Sequence, residues 1–246
     1  MLRTVAIGAG MALTLAVGIA VAGTPLGDGD DTGFVPPTKS VLKCEASVSK
    51  AAAKAGAAIL VCHAKGAGAQ LAQQPFDEEG CETTKGIGKF NAVATKVAAL
   101  CPPCLNAASI IVNVESQLDH ASNGLVFCDS TSGAHLGDGD DLGWVPKDKT
   151  MLKCEASLAK NIAKAALGLT ICHIKSATLQ FSQKPFDEEM CEASTLGKFS
   201  AKNGKLTGCP PCVQEILSSI QIPVEIVADN ATGGTFCASP SGAFLN

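Results

Sequence analysis

The sequence predicts an all-α protein built as two tandem, disulfide-stapled three-helix domains. Three observations predict it: an internal repeat, a helical stripe in each copy, and twelve cysteines that divide six and six. From Gly27 to Glu82 the 246-residue chain matches itself at an offset of 110 in 32 of 56 positions. Copy one carries Cys44, Cys62, Cys81, Cys101, Cys104 and Cys128, and copy two carries Cys154, Cys172, Cys191, Cys209, Cys212 and Cys237. The resulting plan is a leader over 1–22, an entry segment over 23–36, a first repeat over 37–128, a linker over 129–146 and a second repeat over 147–246.

The leader reads as a signal peptide. Arg3 supplies a positive start, Val5 to Ala20 is an unbroken apolar and small-residue run, and Ala20-Val21-Ala22 fits a cleavage site. The entry segment and the linker share Gly, Asp and Pro turn chemistry, as in Gly137-Asp138-Gly139-Asp140-Asp141.

The first helix of each copy is the clearest local signal. Val41, Cys44, Val48, Ala52, Ala55, Ile59 and Cys62 recur at spacings of three and four, which makes one buried stripe. Met151, Cys154, Leu158, Ile162, Ala165, Leu169 and Cys172 repeat it. Thr38 and Asp148 stand where a capping oxygen belongs. A second helix is expected from Pro75-Phe76-Asp77-Glu78-Glu79 to near Ala99, and from Pro185-Phe186-Asp187-Glu188-Glu189 to near Thr207. Proline suits a helix start, and acids in the first turn offset the helix dipole. A third helix is expected to start within Pro102-Pro103-Cys104 and Pro210-Pro211-Cys212. Pro223 should kink or end it in copy two, where the β-branched run from Ile220 to Val227 also allows a strand.

The cysteine intervals suggest a ladder. Cys44 and Cys62 stand five helical turns apart, about 27 Å, and cannot bond each other. Two antiparallel helices with matched intervals then give Cys44–Cys101 and Cys62–Cys81, leaving Cys104–Cys128. The twin set is Cys154–Cys209, Cys172–Cys191 and Cys212–Cys237. Six cysteines allow 15 connectivities, so spacing proposes this set without proving it.

Charge narrows the partners. Removing the leader removes Arg3, the only arginine, and leaves 18 Lys against 23 acids, a net charge of −5. An acidic chain without arginine is a poor reader of phosphate and base edges, so no nucleic-acid partner is expected. Anionic lipid is disfavoured for the same reason, and no stretch after the leader is long and apolar enough to span a bilayer.

Candidate chemistry is thin. Cys101-Pro102-Pro103-Cys104 and Cys209-Pro210-Pro211-Cys212 have the C-x-x-C form of thiol–disulfide exchange sites, but helical flanks replace the usual βαβ setting. Asp28 and Asp30, with twins Asp138 and Asp140, resemble the opening of a calcium loop. That loop needs Glu at its twelfth position, where Lys39 and Lys149 stand. No other metal site is expected: His63 and His173 each follow a cysteine with no second histidine at ligand spacing. Asp77, Glu78, Glu79 and Glu82 read as dipole-serving acids. Phe34 and Trp144 read as anchors for the segments that carry them.

The function expected is therefore non-catalytic: an exported repeat protein, secreted or periplasmic, that binds or structures something in the envelope. No cofactor is expected, and the class of partner left open is another envelope or extracellular protein. The alternative is a thiol–disulfide oxidoreductase using Cys101, Cys104, Cys209 and Cys212.

Overall fold

The structure is a computed structural model that describes residues 33–137 and 141–238. The leader and Asp28, Asp30, Asp138 and Asp140 lie outside the described residues. Within the described residues the protein is all-α, with an isolated β-bridge between His135 and Trp144. No described helix is long and apolar enough to cross a membrane.

Two helices of 33 residues each, α1 (Lys39–Leu71) and α6 (Lys149–Phe181), pack against each other and form the centre. The Thr38 hydroxyl accepts from the Val41 amide at 3.2 Å, and the Asp148 carboxylate accepts from the Thr150 and Met151 amides. These caps satisfy amides that have no partner within the helix. Ala159, Ala163 and Ala165 of α6 are buried in one cluster with Leu60 and Ala67 of α1, while Ala52 and Ala55 are buried with Phe90 and Val97.

A second layer runs antiparallel to each long helix. In copy one it is α2 (Glu78–Glu82), a π-helical turn (Thr83–Ile87), and α3 (Gly88–Val97), ending in a 3-10 turn at Ala98–Leu100. Gly86 permits the approach, since a Cβ there would stand 3.2 Å from the Ala55 carbonyl oxygen. In copy two the layer is one regular helix, α7 (Glu188–Asn203). Disulfides Cys44–Cys101, Cys62–Cys81, Cys154–Cys209 and Cys172–Cys191 tie each second layer to its long helix.

The third helices are broken. Copy one has α4 (Ala107–Gln117), a π-helical turn (Leu118–Ser122) and α5 (Asn123–Val126). Its start is Asn106, whose side chain accepts from the Ser109 amide, and not the Pro102-Pro103 pair. Copy two has α8 (Pro211–Ile216) and α9 (Gln221–Thr235). Pro223 falls in the first turn of α9, where its missing N–H costs no internal bond, so the β-branched run is helical and not a strand.

Two disulfides correct the expected ladder. Cys104 bonds Cys237, and Cys128 bonds Cys212, so the Cys104–Cys128 and Cys212–Cys237 pairs do not form. Each cysteine instead bonds the counterpart, in the other copy, of its expected partner. The reason lies in the closing segments. Phe127 buries fully in a cluster with Leu158, Phe199 and Val213 of copy two. Phe236 buries with Leu42 of copy one. The Phe127 carbonyl accepts from the Trp144 amide and the Phe236 carbonyl from the Phe34 amide, both at 2.8 Å. Each closing cysteine is thereby carried to a cysteine of the other copy. The exchange is reciprocal, as an isologous interface requires.

Candidate metal centre

His63 lies on the buried face of α1, one residue past the Cys62–Cys81 bridge. That bridge fixes the second layer beside it. Asp77 caps α2 by accepting from the Gly80 amide at 2.8 Å, which sets the helix phase. Glu78 and Glu82, four residues apart, then share one face and point at the imidazole. Gly66, one turn after His63, leaves room, since a Cβ there would sit 3.1 Å from Glu78 Cγ. Asp119 enters from the π-helical turn after α4, a geometry that re-aims side chains and recurs at functional sites. Asp141 arrives from the linker, held by a 3.0 Å hydrogen bond from the Asn123 side-chain amide.

The result is one nitrogen facing four carboxylates. His63 Nε2 lies 3.4 Å from Glu78, 2.7 Å from Glu82, 3.3 Å from Asp119 and 3.4 Å from Asp141. The imidazole is completely buried, and no facing carboxylate is more than 10% exposed. A single N–H can satisfy one acceptor, not four. Donors held about 2.1 Å from one cation lie about 3.0 Å apart at right angles and about 3.4 Å apart at the tetrahedral angle. Three of the separations around Nε2, at 3.3–3.4 Å, match such spacings, and His63 belongs to two groups, one with Glu78 and Glu82 and one with Asp119 and Asp141, whose ligand atoms each lie within 4.8 Å of one another. A cavity of about 30 Å³, lined in part by His63, Glu78, Asn123 and Asp141, adjoins the cluster.

Electrostatics point the same way. Burial alone would push His63 down, but Asp119 and Glu82, then Asp141 and Glu78, hold its pKa up at about 10. Burial pushes Glu78 up to about 9, with His63 opposing and Glu82 and Asp141 reinforcing. Asp141 is raised too, first by burial, with His63 opposing. Without a cation the cluster must therefore hold protons to be tolerated.

Copy two repeats the arrangement. His173 Nε2 lies 2.6 Å from Glu192, 3.4 Å from Asp229 and 3.9 Å from Glu188. Its ring is oriented through its other nitrogen. The Thr232 hydroxyl donates to the Ala228 carbonyl at 3.0 Å, so it accepts from Nδ1–H at 2.6 Å. Nε2 is then the nitrogen turned to the carboxylates, the orientation that outer partners impose on metal-ligating histidines.

Taken one at a time in the sequence, His63, His173, Glu78 and Glu82 each have an ordinary reading, and nothing local marks Asp119 or Asp229. A signal was present: across 107–123 and 217–233 only six of seventeen positions agree, and Glu115/Glu225 and Asp119/Asp229 are two of them. The C-x-x-C cysteines fall elsewhere. Cys101 bonds Cys44, Cys104 bonds Cys237, Cys209 bonds Cys154 and Cys212 bonds Cys128. Neither motif forms its own disulfide, as an exchange site would need. Trp144 is half-buried and stacks on His135 with ring centroids 3.9 Å apart.

A second pair of buried acids lies at the same register in the long helices. Glu45 accepts from the Ala238 amide at 3.1 Å and sits by the Cys104–Cys237 bridge. Burial raises its pKa to about 7 against the backbone amides of Ala238 and Cys237. Burial, then Asp129, raises Glu155 to about 8.

No protein-family model, no curated protein and no solved structure matches the chain.

Proposed function

We propose that this protein is an exported, non-catalytic binder of divalent transition-metal ions, with one buried histidine–carboxylate centre in each copy. The observation that carries the reading is the set of four carboxylate oxygens at 2.7–3.4 Å around His63 Nε2. Imidazole favours first-row ions such as Zn²⁺ or Fe²⁺ over Ca²⁺, while a carboxylate-rich shell without thiolate suits Mn²⁺, Fe²⁺ and Zn²⁺. All twelve cysteines are bridged, which supports export, because such bonds persist in oxidising compartments. The bridges also pre-organise both centres, since Cys62–Cys81 and Cys172–Cys191 each join the histidine helix to the glutamate helix.

The test is metal content and melting. Protein stripped with chelator and dialysed against Zn²⁺ or Mn²⁺ should retain at least two ions per chain and melt higher than the stripped form. H63A and H173A should each retain fewer. A stripped protein that takes up neither ion and shows no change in melting overturns the reading.

A further inference from the structure

We infer that the ion of copy one keeps one exchangeable water, seated in the cavity beside His63 and held there by two side-chain oxygens, Gln70 Oε1 and Asn123 Oδ1. The inference rests on the metal reading above and deepens it, because it gives copy one a coordination position that a small ligand from solvent can enter.

The cavity borders both the ion donors and two unpaired acceptors. His63, Glu78 and Asp141 line it, and so do Gln70 and Asn123. A ligand in it therefore stands beside the ion that the first three would hold. Asn123 is fully buried, and its Nδ2 donates to Asp141 Oδ1 at 3.0 Å. That bond fixes the amide and leaves Asn123 Oδ1 as an acceptor, buried with no hydrogen-bond partner. Gln70 Oε1 is buried without a partner as well. Unpaired buried acceptors are unfavourable, and native interiors pair nearly all of them, with ordered water where protein groups do not reach.

Size, polarity and coordination number select the ligand. A water needs about 10–15 Å³ and two to four polar partners. The cavity of about 30 Å³ admits it and excludes anything much larger. A metal-bound water turns its oxygen to the ion and has two hydrogens to give, one for each amide oxygen. A small anion has no hydrogen to give and would face the same two oxygens, so the place favours a neutral donor. A six-coordinate ion such as Mn²⁺, bound once each by His63, Glu78, Glu82, Asp119 and Asp141, has one position left for it. Gly66 supplies the space, since a Cβ there would stand 3.1 Å from Glu78 Cγ and 3.7 Å from Phe76 Cδ1. Phe76 is 36% exposed and also lines the cavity, which gives the water a route to solvent.

The repeat supplies an independent argument. His63, Glu78, Glu82 and Asp119 recur as His173, Glu188, Glu192 and Asp229, and Gln70 recurs as Gln180. Gly66 and Asn123 do not recur: Ser176 and Gly233 hold their places. Ser176 is 1% exposed, and its Oγ accepts from Gln180 Nε2 at 3.0 Å. Copy two thus keeps these ion donors while changing the space and one of the acceptors, so holding the ion and holding the water are separate features of the chain. A centre with a solvent ligand is the open kind, into which a further small ligand can exchange.

The test uses full-length, fully oxidised H173A, whose remaining histidine centre is that of copy one, loaded with Mn²⁺ and freed of excess ion. In water enriched in a magnetic oxygen isotope, electron–nuclear double resonance should show oxygen bound directly to the Mn²⁺. H173A/G66S places the copy-two residue in the cavity, and H173A/Q70L removes one acceptor. The oxygen signal per bound Mn²⁺ should be lost in the first and weakened in the second, and Q70L carries the decision where G66S costs the ion. Mn²⁺-loaded H173A without a coupled oxygen overturns the water and leaves the metal reading standing. An undiminished signal in H173A/Q70L overturns its seat between Gln70 and Asn123. A parent that binds no Mn²⁺ and no Zn²⁺ overturns both, and an H173A that binds no Mn²⁺ while the parent does overturns the water alone.

Discussion

Loading a metal into copy one should expel two protons. His63, held at about 10, and Glu78, pushed up to about 9, both carry protons at pH 7 in the metal-free protein. A cation needs the Nε2 lone pair and the carboxylate, so both protons must leave. Two protons released per ion make affinity rise about a hundredfold for each pH unit below 9. Between pH 6 and 8 the gain is about ten-thousandfold by the same argument. Calorimetric titration of Zn²⁺ into H173A, run in PIPES and in HEPES, separates the buffer heat and counts the protons. Affinity measured from pH 6 to 8 gives the slope. Release of less than one proton, or a flat affinity, would refute the claim that the buried cluster substitutes protons for a cation.

Two further outcomes follow from the fold. The metal-free protein should lose stability as pH rises. His63, Glu78, Glu45 and Glu155 all have folded-state values above their ordinary ones, near 10, 9, 7 and 8. The folded chain therefore binds more protons than the unfolded one, and stability present at pH 4.5 is lost progressively towards pH 10. Chelated protein should melt lower at pH 9 than at pH 5, and an unchanged or higher melting point at pH 9 would contradict the sign. Replacing Cys104 and Cys237 together by serine should cost about 2–4 kcal/mol, read from denaturant midpoints. A non-reducing peptide map of the parent should join the Cys104 peptide to the Cys237 peptide, and a Cys104–Cys128 peptide would contradict the crossing.

What was legible in the sequence was local. The stripe from Val41 to Cys62 needs only the helical period, and equal cysteine intervals on antiparallel helices suffice to place rungs such as Cys44–Cys101. The crossing of Cys104 to Cys237 was not legible, because spacing within one copy carries no information about how two copies face each other. The centre was hidden for a related reason. Its donors come from positions 63, 78, 82, 119 and 141, on four separate segments, and each has an ordinary reading alone. Asp77 illustrates the trap: it reads as one more first-turn acid beside Glu78 and Glu82, yet it caps α2 while those two turn inward to His63. The broken third helices were half-visible, since Pro223 marks the break in copy two, while nothing in Leu118–Ser122 announces a π-helical turn.

The reciprocal crossing bears on what a half-length version of this polypeptide would be. Stopped after Cys128, it would keep two internal bridges, lack Asp141, and hold two thiols whose mates belong to the missing half. It could regain what it lacks only by borrowing from another molecule that carries the second half. Tandem fusion turns that borrowing into an internal affair, independent of concentration, and welds the halves so that a protease nick near Gly133 would free neither.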